Sequence, residues 1–251
     1  MTDDFPEEKR RAREISDNIA RLRERITAAA LQAGRGENAV TLCAVTKTRP
    51  VSDCLAAVAA GVANLGENYV QEAREKIPAV RALLPESFSL ICHLIGNLQT
   101  NKIKYAVHFA DIFETVDSKE CLQGIAKSMQ KLYNGENPAM PGSGSARVLI
   151  EVNLSGSDGR AGVSPDAALD LALSAREMPG IQLSGFMGIA PPTSTGDEAR
   201  PYFVRLKGLF DALPSETRQI LSMGMSGDFE AAIREGATLV RIGTAIFGAR
   251  S

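Results

Sequence analysis

The chain opens with a helical pattern of apolar and polar positions. Apolar residues recur every three or four positions over residues 14–31, which places them on one stripe of a helix. Gly34 and Gly36 follow, and glycine commonly terminates helices. The stripe consists of Ile15, Ile19, Leu22, Ile26 and Ala30.

After this helix, short apolar runs alternate with amphipathic ones. The apolar runs predict strands over residues 40–46, 62–66, 88–95, 111–116, 147–153, 181–187, 219–222 and 238–242. Helical patterns lie between and after them, near residues 51–60, 68–82, 98–107, 118–131, 164–177, 197–212, 226–235 and 244–249. Such alternation predicts a parallel sheet of the α/β class.

Eight strand–helix units in 251 residues match the count and size of a single (β/α)8 TIM barrel with one extra N-terminal helix. We therefore expect one barrel domain over residues 1–251. A doubly wound sheet remains the alternative, because the pattern does not give the strand order.

One segment does not follow the alternation of strands and helices. Residues 134–145 are rich in Gly, Pro and Ser, which predicts a surface loop on the N-terminal face of the barrel.

Composition narrows the classes of function. The net charge of −2 predicts no nucleic-acid partner, and we interpret the basic run at residues 9–13 as a solvated helix face. The cysteines form no CxxC pair, which favours a reducing compartment over a disulfide framework or a zinc site. Without a signal-peptide core or an apolar stretch of membrane length, we expect a cytoplasmic protein with no membrane partner. The cysteines are Cys43, Cys54, Cys92 and Cys121.

In a barrel of this kind, functional groups gather at the C-terminal ends of the strands. Lys47 ends the first apolar run, in "CAVTKTRP". One interpretation is a lysine whose amine simply reaches water. The other is an amine in a partly desolvated pocket, where its pKa falls and it can form a Schiff base with a carbonyl group.

The last two strand ends predict an anion site. Ser226 stands where a helix N-cap is expected, and Gly243 and Thr244 precede another helix start. Paired helix starts after strands 7 and 8 are typical of phosphate sites in barrels. Two ordinary capped helices would give the same sequence pattern. Arg241, inside an apolar strand, either pairs with a core carboxylate such as Glu151 or points at a ligand. Together with a Schiff-base lysine, these features suggest pyridoxal 5′-phosphate (PLP).

Five motifs make the sequence recognisable: "AVTKTRP", "LGENYVQE", "HLIGNLQTNK", "VLIEVNLSG" and "LSMGMSGDFEAAIREGATLVRIGTAIFGAR". Over residues 12–250 the chain resembles the pyridoxal phosphate homeostasis protein family, also called the proline synthetase co-transcribed family. The resemblance implies a barrel like the N-terminal domain of bacterial alanine racemase. It also implies that Lys47 carries PLP as an internal aldimine.

The same resemblance implies roles for five further residues. Ser226, Gly243 and Thr244 would hold the phosphate of PLP. Arg241 would face the pyridine nitrogen, and Asn68 would line the cofactor pocket. The chain departs from familiar members in three places, where it has Cys92 instead of an aromatic residue, no lysine at residues 157–160 and no lysine at its C-terminal end. The resemblance therefore leaves open any secondary PLP contact through those lysines.

An arginine at the pyridine nitrogen disfavours protonation of the ring and weakens it as an electron sink. A racemase also needs a second acid or base, which barrel racemases of this type take from a second domain, whereas only Ser251 follows the last motif here. The candidates within the barrel are His93, Tyr69 and Tyr105, and His93 is more often a core histidine bonded to the backbone.

We therefore predict a monomeric carrier that stores, buffers or delivers PLP, with apo-enzymes as candidate partners and no catalytic or metal-binding residues. The alternatives are a PLP-dependent amino-acid racemase of the alanine racemase fold type and an unliganded barrel.

Overall fold

The computed structural model describes residues 7–133, 144–157, 159–193 and 195–249. Its eight parallel strands form one closed barrel in which each strand pairs with the next along the chain and the last pairs with the first. This confirms the TIM barrel over the doubly wound sheet. The strands are β1 Thr41–Val45, β2 Asn64–Glu67, β3 Ile91–Leu94, β4 Ile112–Val116, β5 Ala146–Val152, β6 Ile181–Gly188, β7 Ile220–Ser222 and β8 Leu239–Ile242.

Helices surround the barrel at the predicted places. All eight helices described after the first are shorter than their sequence patterns, and in the three with the largest differences a 3-10 helix or a turn replaces part of the α-helix. The helices are α1 Glu7–Gln32, α2 Val51–Ala59, α3 Val70–Ala82, α4 Ile103–Ala106, α5 Lys119–Lys131, α6 Pro165–Arg176, α7 Arg200–Ala212, α8 Phe229–Arg234 and α9 Thr244–Phe247. None of the helices in these described ranges has the length and apolar character needed to cross a membrane.

Helix α1 is described from Glu7 onward, seven residues before the predicted start. The sequence pattern did not predict this part because residues 7–13 are mostly charged and carry no apolar periodicity. The interpretation of the basic run as a solvated face is wrong for Arg11. Its guanidinium lies 2.9 Å from the Asp53 carboxylate and donates a 2.8 Å hydrogen bond to the carbonyl oxygen of Phe247. These bonds attach α1 to α2 and to the end of α9.

The interior of the barrel contains an apolar layer beneath a polar one. The apolar layer consists of Ile91, Ile112, Leu149, Met187, Ile189 and Ile220. Side chains alternate along a strand, so the residues two positions further along also point inward and lie closer to the C-terminal mouth. On four strands those residues are polar and buried, namely His93, Glu114, Glu151 and Ser222. The fold thus places a polar floor beneath the mouth of the barrel.

The segment predicted as a surface loop is described only at its end. Residues 134–143 lie outside the described ranges, and Gly144 and Ser145 lead directly into β5.

Candidate cofactor site

Lys47 lies in a turn at the C-terminal end of β1, as the sequence predicts. The turn is closed by a 3.0 Å hydrogen bond from the Arg49 N–H to the Thr46 carbonyl oxygen. The N–H of Thr46 donates to the carbonyl oxygen of Gly66 at 2.9 Å, which holds the turn against β2. Lys47 is partly buried, at the end of the barrel where the strands end.

Asn68 follows β2 and lies against the loop after β3. A Cβ atom at Gly96 would lie 2.3 Å from the Asn68 carbonyl oxygen, so only glycine allows these two loops to approach. The side-chain Oδ1 of Asn68 is buried and has no hydrogen-bond partner among the described residues. A buried amide oxygen without a donor is costly in free energy, which makes this atom a candidate acceptor for a ligand.

The loops after β7 and β8 meet at Ser226. Its hydroxyl oxygen accepts a hydrogen bond from the Ala245 N–H at 3.4 Å. The prediction that Ser226 caps the next helix is wrong, because a turn intervenes and α8 begins only at Phe229, after Asp228. The Asp228 carboxylate accepts a 2.6 Å hydrogen bond from the Met225 N–H and thereby closes that turn. Ser226 is consequently left facing the start of α9.

Backbone donors collect at the same place. The N–H groups of Ser226, Gly227, Gly243 and Thr244 have no hydrogen-bond acceptor among the described residues. A Cβ at Gly243 would lie 3.3 Å from the Val45 Cβ, so this loop passes close to the end of β1. Free N–H groups beside a hydroxyl are suited to a phosphate.

Arg241 is buried in the polar floor, and its guanidinium is held by three groups. Nη1 donates to the Ser222 hydroxyl, and Nη2 donates to the Gly188 carbonyl oxygen at 3.0 Å. The ion-pair partner is Glu114, whose Oε2 lies 3.6 Å from Nη1. The interpretation that Arg241 pairs with a core carboxylate is therefore confirmed, but the partner is Glu114, and Glu151, the example suggested from the sequence, is not within ion-pair distance.

Glu114 joins Arg241 to the opposite wall of the barrel. Its Oε2 accepts from the Ser222 hydroxyl at 2.6 Å, and its Oε1 lies 2.6 Å from Nδ1 of His93. Burial raises the pKa of Glu114, but the hydrogen bond from His93 and the charges of His93 and Arg241 outweigh it and hold the pKa below its ordinary value. Glu114 therefore stays ionised and neutralises Arg241.

His93 is a core histidine, with side-chain partners in place of the expected backbone partner. Nδ1 is engaged by Glu114, and Nε2 lies 3.0 Å from the Asn64 side-chain oxygen. Both ring nitrogens are occupied and the residue is fully buried. This arrangement leaves His93 no nitrogen for proton exchange with a substrate.

Glu151 lies in the polar floor on β5 and has a different environment. The carboxyl is buried, and none of the described residues donates a hydrogen bond to it or lies within ion-pair distance of it. Burial raises the pKa of Glu151 to about 7, although the charge of Arg241 opposes that shift. The floor thus contains one firmly ionised carboxylate, Glu114, and one that titrates near neutral pH.

The other predicted candidates lie on helices and loops that follow the strands. Tyr69 is about half exposed, directly before α3, and Tyr105 on α4 packs against the guanidinium of Arg74 at 5.0 Å. Arg160 is exposed and lines a cavity of about 460 Å³ together with Met225 and other residues of the loops after β6 and β7. The last two residues of the chain lie outside the described ranges.

Sequence reasoning missed several polar residues behind the site. Glu114 carries the signal that identified Arg241, a charged residue inside an apolar strand, and could have been found in the same way. Nothing in the sequence distinguishes Ser222 from other small residues of the strands. Lys76 lies on a helix among other charged residues, and only the tertiary structure reveals that it is buried.

The residues at the mouth fit PLP chemically. A partly buried amine, a set of backbone donors beside a serine hydroxyl, and a buried amide oxygen without a partner match an aldehyde, a phosphate and a ring substituent that can donate a hydrogen bond.

Comparison with known proteins extends over nearly the whole chain. The family model of the alanine racemase N-terminal domain matches residues 14–251. A curated relative, the pyridoxal phosphate homeostasis protein of Pasteurella multocida, is 39% identical over 240 residues, which cover 94% of this chain and 97% of that protein.

Two solved structures are similar in both fold and sequence. An unknown protein from Bifidobacterium adolescentis has a TM-score of 0.85 and 36% identity, covering 97% of each chain. PipY of Synechococcus elongatus, solved with PLP bound, has a TM-score of 0.73 and 30% identity, covering 93% of this chain and 100% of its own. The chain forms the closed barrel, and its sequence similarity to such relatives extends over nearly its full length. It therefore belongs to the pyridoxal phosphate homeostasis protein family.

Proposed function

We propose that this protein binds PLP on Lys47 and acts in PLP homeostasis, storing the cofactor, buffering it or delivering it to apo-enzymes. The observation that carries the proposal is the convergence of two features on one face of one barrel. The amine of Lys47 follows β1, and the free N–H groups around Ser226 and Gly243 follow β7 and β8. Because β8 pairs with β1, these groups belong to neighbouring loops.

PLP, when bound, supplies an aldehyde that condenses with amines and a ring that withdraws electrons from the attached group. Lys47 would supply the amine that holds this aldehyde. The Ser226 hydroxyl and the N–H groups of Gly243 and Thr244 would hold the phosphate. Arg241 would lie on the side of the ring nitrogen, and Asn68 would line the pocket.

Two features favour a carrier over an enzyme. Arg241, paired with ionised Glu114, remains a guanidinium cation, so it has no proton-accepting role and disfavours a protonated pyridine ring. His93 has both nitrogens engaged inside the barrel. The second candidate is a racemase, favoured only by the match to the alanine racemase N-terminal domain, which describes the fold.

Attachment is tested by titrating purified protein with PLP and recording the visible absorbance of an imine. The wild-type protein should turn yellow, and the adduct reduced by borohydride should map to Lys47 by mass spectrometry. Lys47→Ala should remain colourless. Lys119→Ala is the matched control, since Lys119 is an exposed lysine that starts α5 after β4, and it should behave as wild type. An unchanged absorbance band in Lys47→Ala would disprove attachment at Lys47.

Turnover is tested separately by incubating the PLP-loaded protein with L-amino acids and separating the enantiomers by chiral chromatography. The carrier proposal expects no D-isomer above that formed by free PLP. Rapid racemisation that disappears in Lys47→Ala would establish the racemase instead. The monomeric state and the cytoplasmic location stay predictions from the sequence, which sedimentation and cell fractionation can check.

A further inference from the structure

The turn that carries Lys47 has an unusual backbone conformation. Thr48, the residue after Lys47, has φ of 61°, and it is the one non-glycine residue with positive φ among the described residues. β-Branched side chains strongly disfavour this region, so the conformation persists only where its surroundings impose it. The Thr48 N–H donates a 2.7 Å hydrogen bond to Oε1 of Glu72 on α3.

A buried ammonium group holds both flanks of this turn. Nζ of Lys76 on α3 donates to the Thr46 carbonyl oxygen at 2.7 Å and to the Arg49 carbonyl oxygen at 3.3 Å. These two carbonyls lie on either side of Lys47 in the chain. Lys76 is only 6% exposed, so few water molecules can replace these bonds.

Two carboxylates keep the Lys76 ammonium charged and in place. Oε1 of Glu67 lies 2.8 Å from Nζ, and Oε1 of Glu72 lies 2.5 Å from it. Burial lowers the pKa of Lys76, but these carboxylates outweigh burial and hold the pKa above its ordinary value. Glu67 also accepts a 2.6 Å hydrogen bond from the Thr46 hydroxyl, which adds a further attachment of the turn to β2.

We propose that Lys76, held by Glu67 and Glu72, is the positioning residue for Lys47, because it fixes the strained turn in the conformation that presents the Lys47 amine to the cofactor. Lys76 acts through the backbone of residues 46–49 and does not itself touch the ligand. This inference rests on the proposed function, since it assumes that Lys47 is the attachment residue.

A structural role in the fold would look different from a positioning role. Loss of a merely structural cluster would weaken every ligand equally, whereas loss of positioning affects only the bond made by Lys47. Pyridoxine 5′-phosphate separates the two, because it keeps the ring and the phosphate of PLP but has no aldehyde. Misplacement of a reacting group by about 1 Å is enough to cost one to two orders of magnitude.

The test measures affinities of the full chain for PLP and for pyridoxine 5′-phosphate in Lys76→Met. We expect PLP affinity to fall about tenfold or more and pyridoxine 5′-phosphate affinity to stay within about twofold of wild type. The matched control is Lys207→Met, which removes another lysine in an i, i+4 ion pair, 2.5 Å from Asp211 on the surface of α7. It should change neither affinity.

If Lys76→Met fails to fold, Glu72→Gln provides the same comparison, because it neutralises the acceptor of both Thr48 and Lys76 at a position 27% exposed. Equal losses for the two ligands, or no loss for PLP, would overturn the positioning role while leaving PLP binding intact. Wild-type protein that attaches no PLP at Lys47 would instead refute the proposed function, and the positioning role with it.

Discussion

The carboxylate of Glu114 lies 3.6 Å from the guanidinium of Arg241 across the interior of the barrel, and the Ser222 hydroxyl bonds to both. Strands β4 and β8 are four apart in a ring of eight, so this interaction spans the barrel. It makes the arginine of the candidate site part of the core.

Glu114→Gln should destabilise the fold and weaken PLP binding. The change leaves Arg241 buried without its counter-charge, and breaking a buried pair costs about 3 kcal/mol. Urea unfolding at pH 7 measures the loss in free energy of unfolding. Because the folded-state pKa of Glu114 is depressed, its stabilisation is present at neutral pH and is lost as the pH falls through that pKa. The gap between variant and wild type should therefore narrow in acid; a constant gap would contradict this account.

Glu151→Gln should raise stability at alkaline pH. The pKa of Glu151 is raised from 4.5 to about 7, so between these values the folded protein holds a proton that the unfolded chain has lost. The free energy of unfolding therefore falls as pH rises through this window, by about 3 kcal/mol in total. Urea unfolding of the ligand-free proteins should show equal stabilities below pH 4.5 and a more stable variant above pH 7. Glu24→Gln, at an exposed position of α1, controls for the loss of a surface charge.

Ser226→Ala should weaken binding of PLP by about tenfold or more, since a hydrogen bond to a charged group contributes roughly 1.5–3 kcal/mol. Pyridoxal, which lacks the phosphate, should bind Ser226→Ala and wild type alike. Fluorescence titration with both ligands measures the difference. Ser215→Ala, an exposed serine before β7 on the opposite side of the barrel, should leave both affinities unchanged. Equal weakening for PLP and pyridoxal would show that Ser226 does not bind the phosphate.

Gly96→Ala should reduce both stability and PLP affinity. The new Cβ would lie 2.3 Å from the Asn68 carbonyl oxygen, which forces the loop after β2 to move, and such overpacking costs about 1–3 kcal/mol. Gly208→Ala is the matched control, because a Cβ at Gly208 meets no atom within 4 Å and the residue lies within α7. That change should stabilise the protein by about 0.5–1 kcal/mol. Thermal unfolding measures the stability of both variants, and PLP titration measures their affinity. An unaltered PLP affinity in Gly96→Ala would contradict a role for Asn68 in binding the cofactor.

Much of the fold was predictable because local patterns encode it. Each strand is a short apolar run with polar residues or glycine at its ends. Each predicted strand overlaps the observed one. The part of α1 before residue 14 was not predictable in this way, since residues 7–13 are mostly charged and show no apolar stripe. The N-cap assignment of Ser226 failed because residues 226–228 form a turn, which the hydrogen bond from the Met225 N–H to the Asp228 carboxylate closes, and α8 begins only after it.

The sequence alone determined the order of the elements, the chemical groups at the strand ends and, through the family motifs, the cofactor to be expected. The tertiary structure decided the closure of β1 with β8, the choice of Glu114 over Glu151 as the partner of Arg241, and the burial of Lys76 beneath the turn of Lys47. The physical reason is that periodicity specifies which face of an element is buried, whereas side-chain partners depend on strand register and barrel closure, which arise from contacts between residues far apart in the chain.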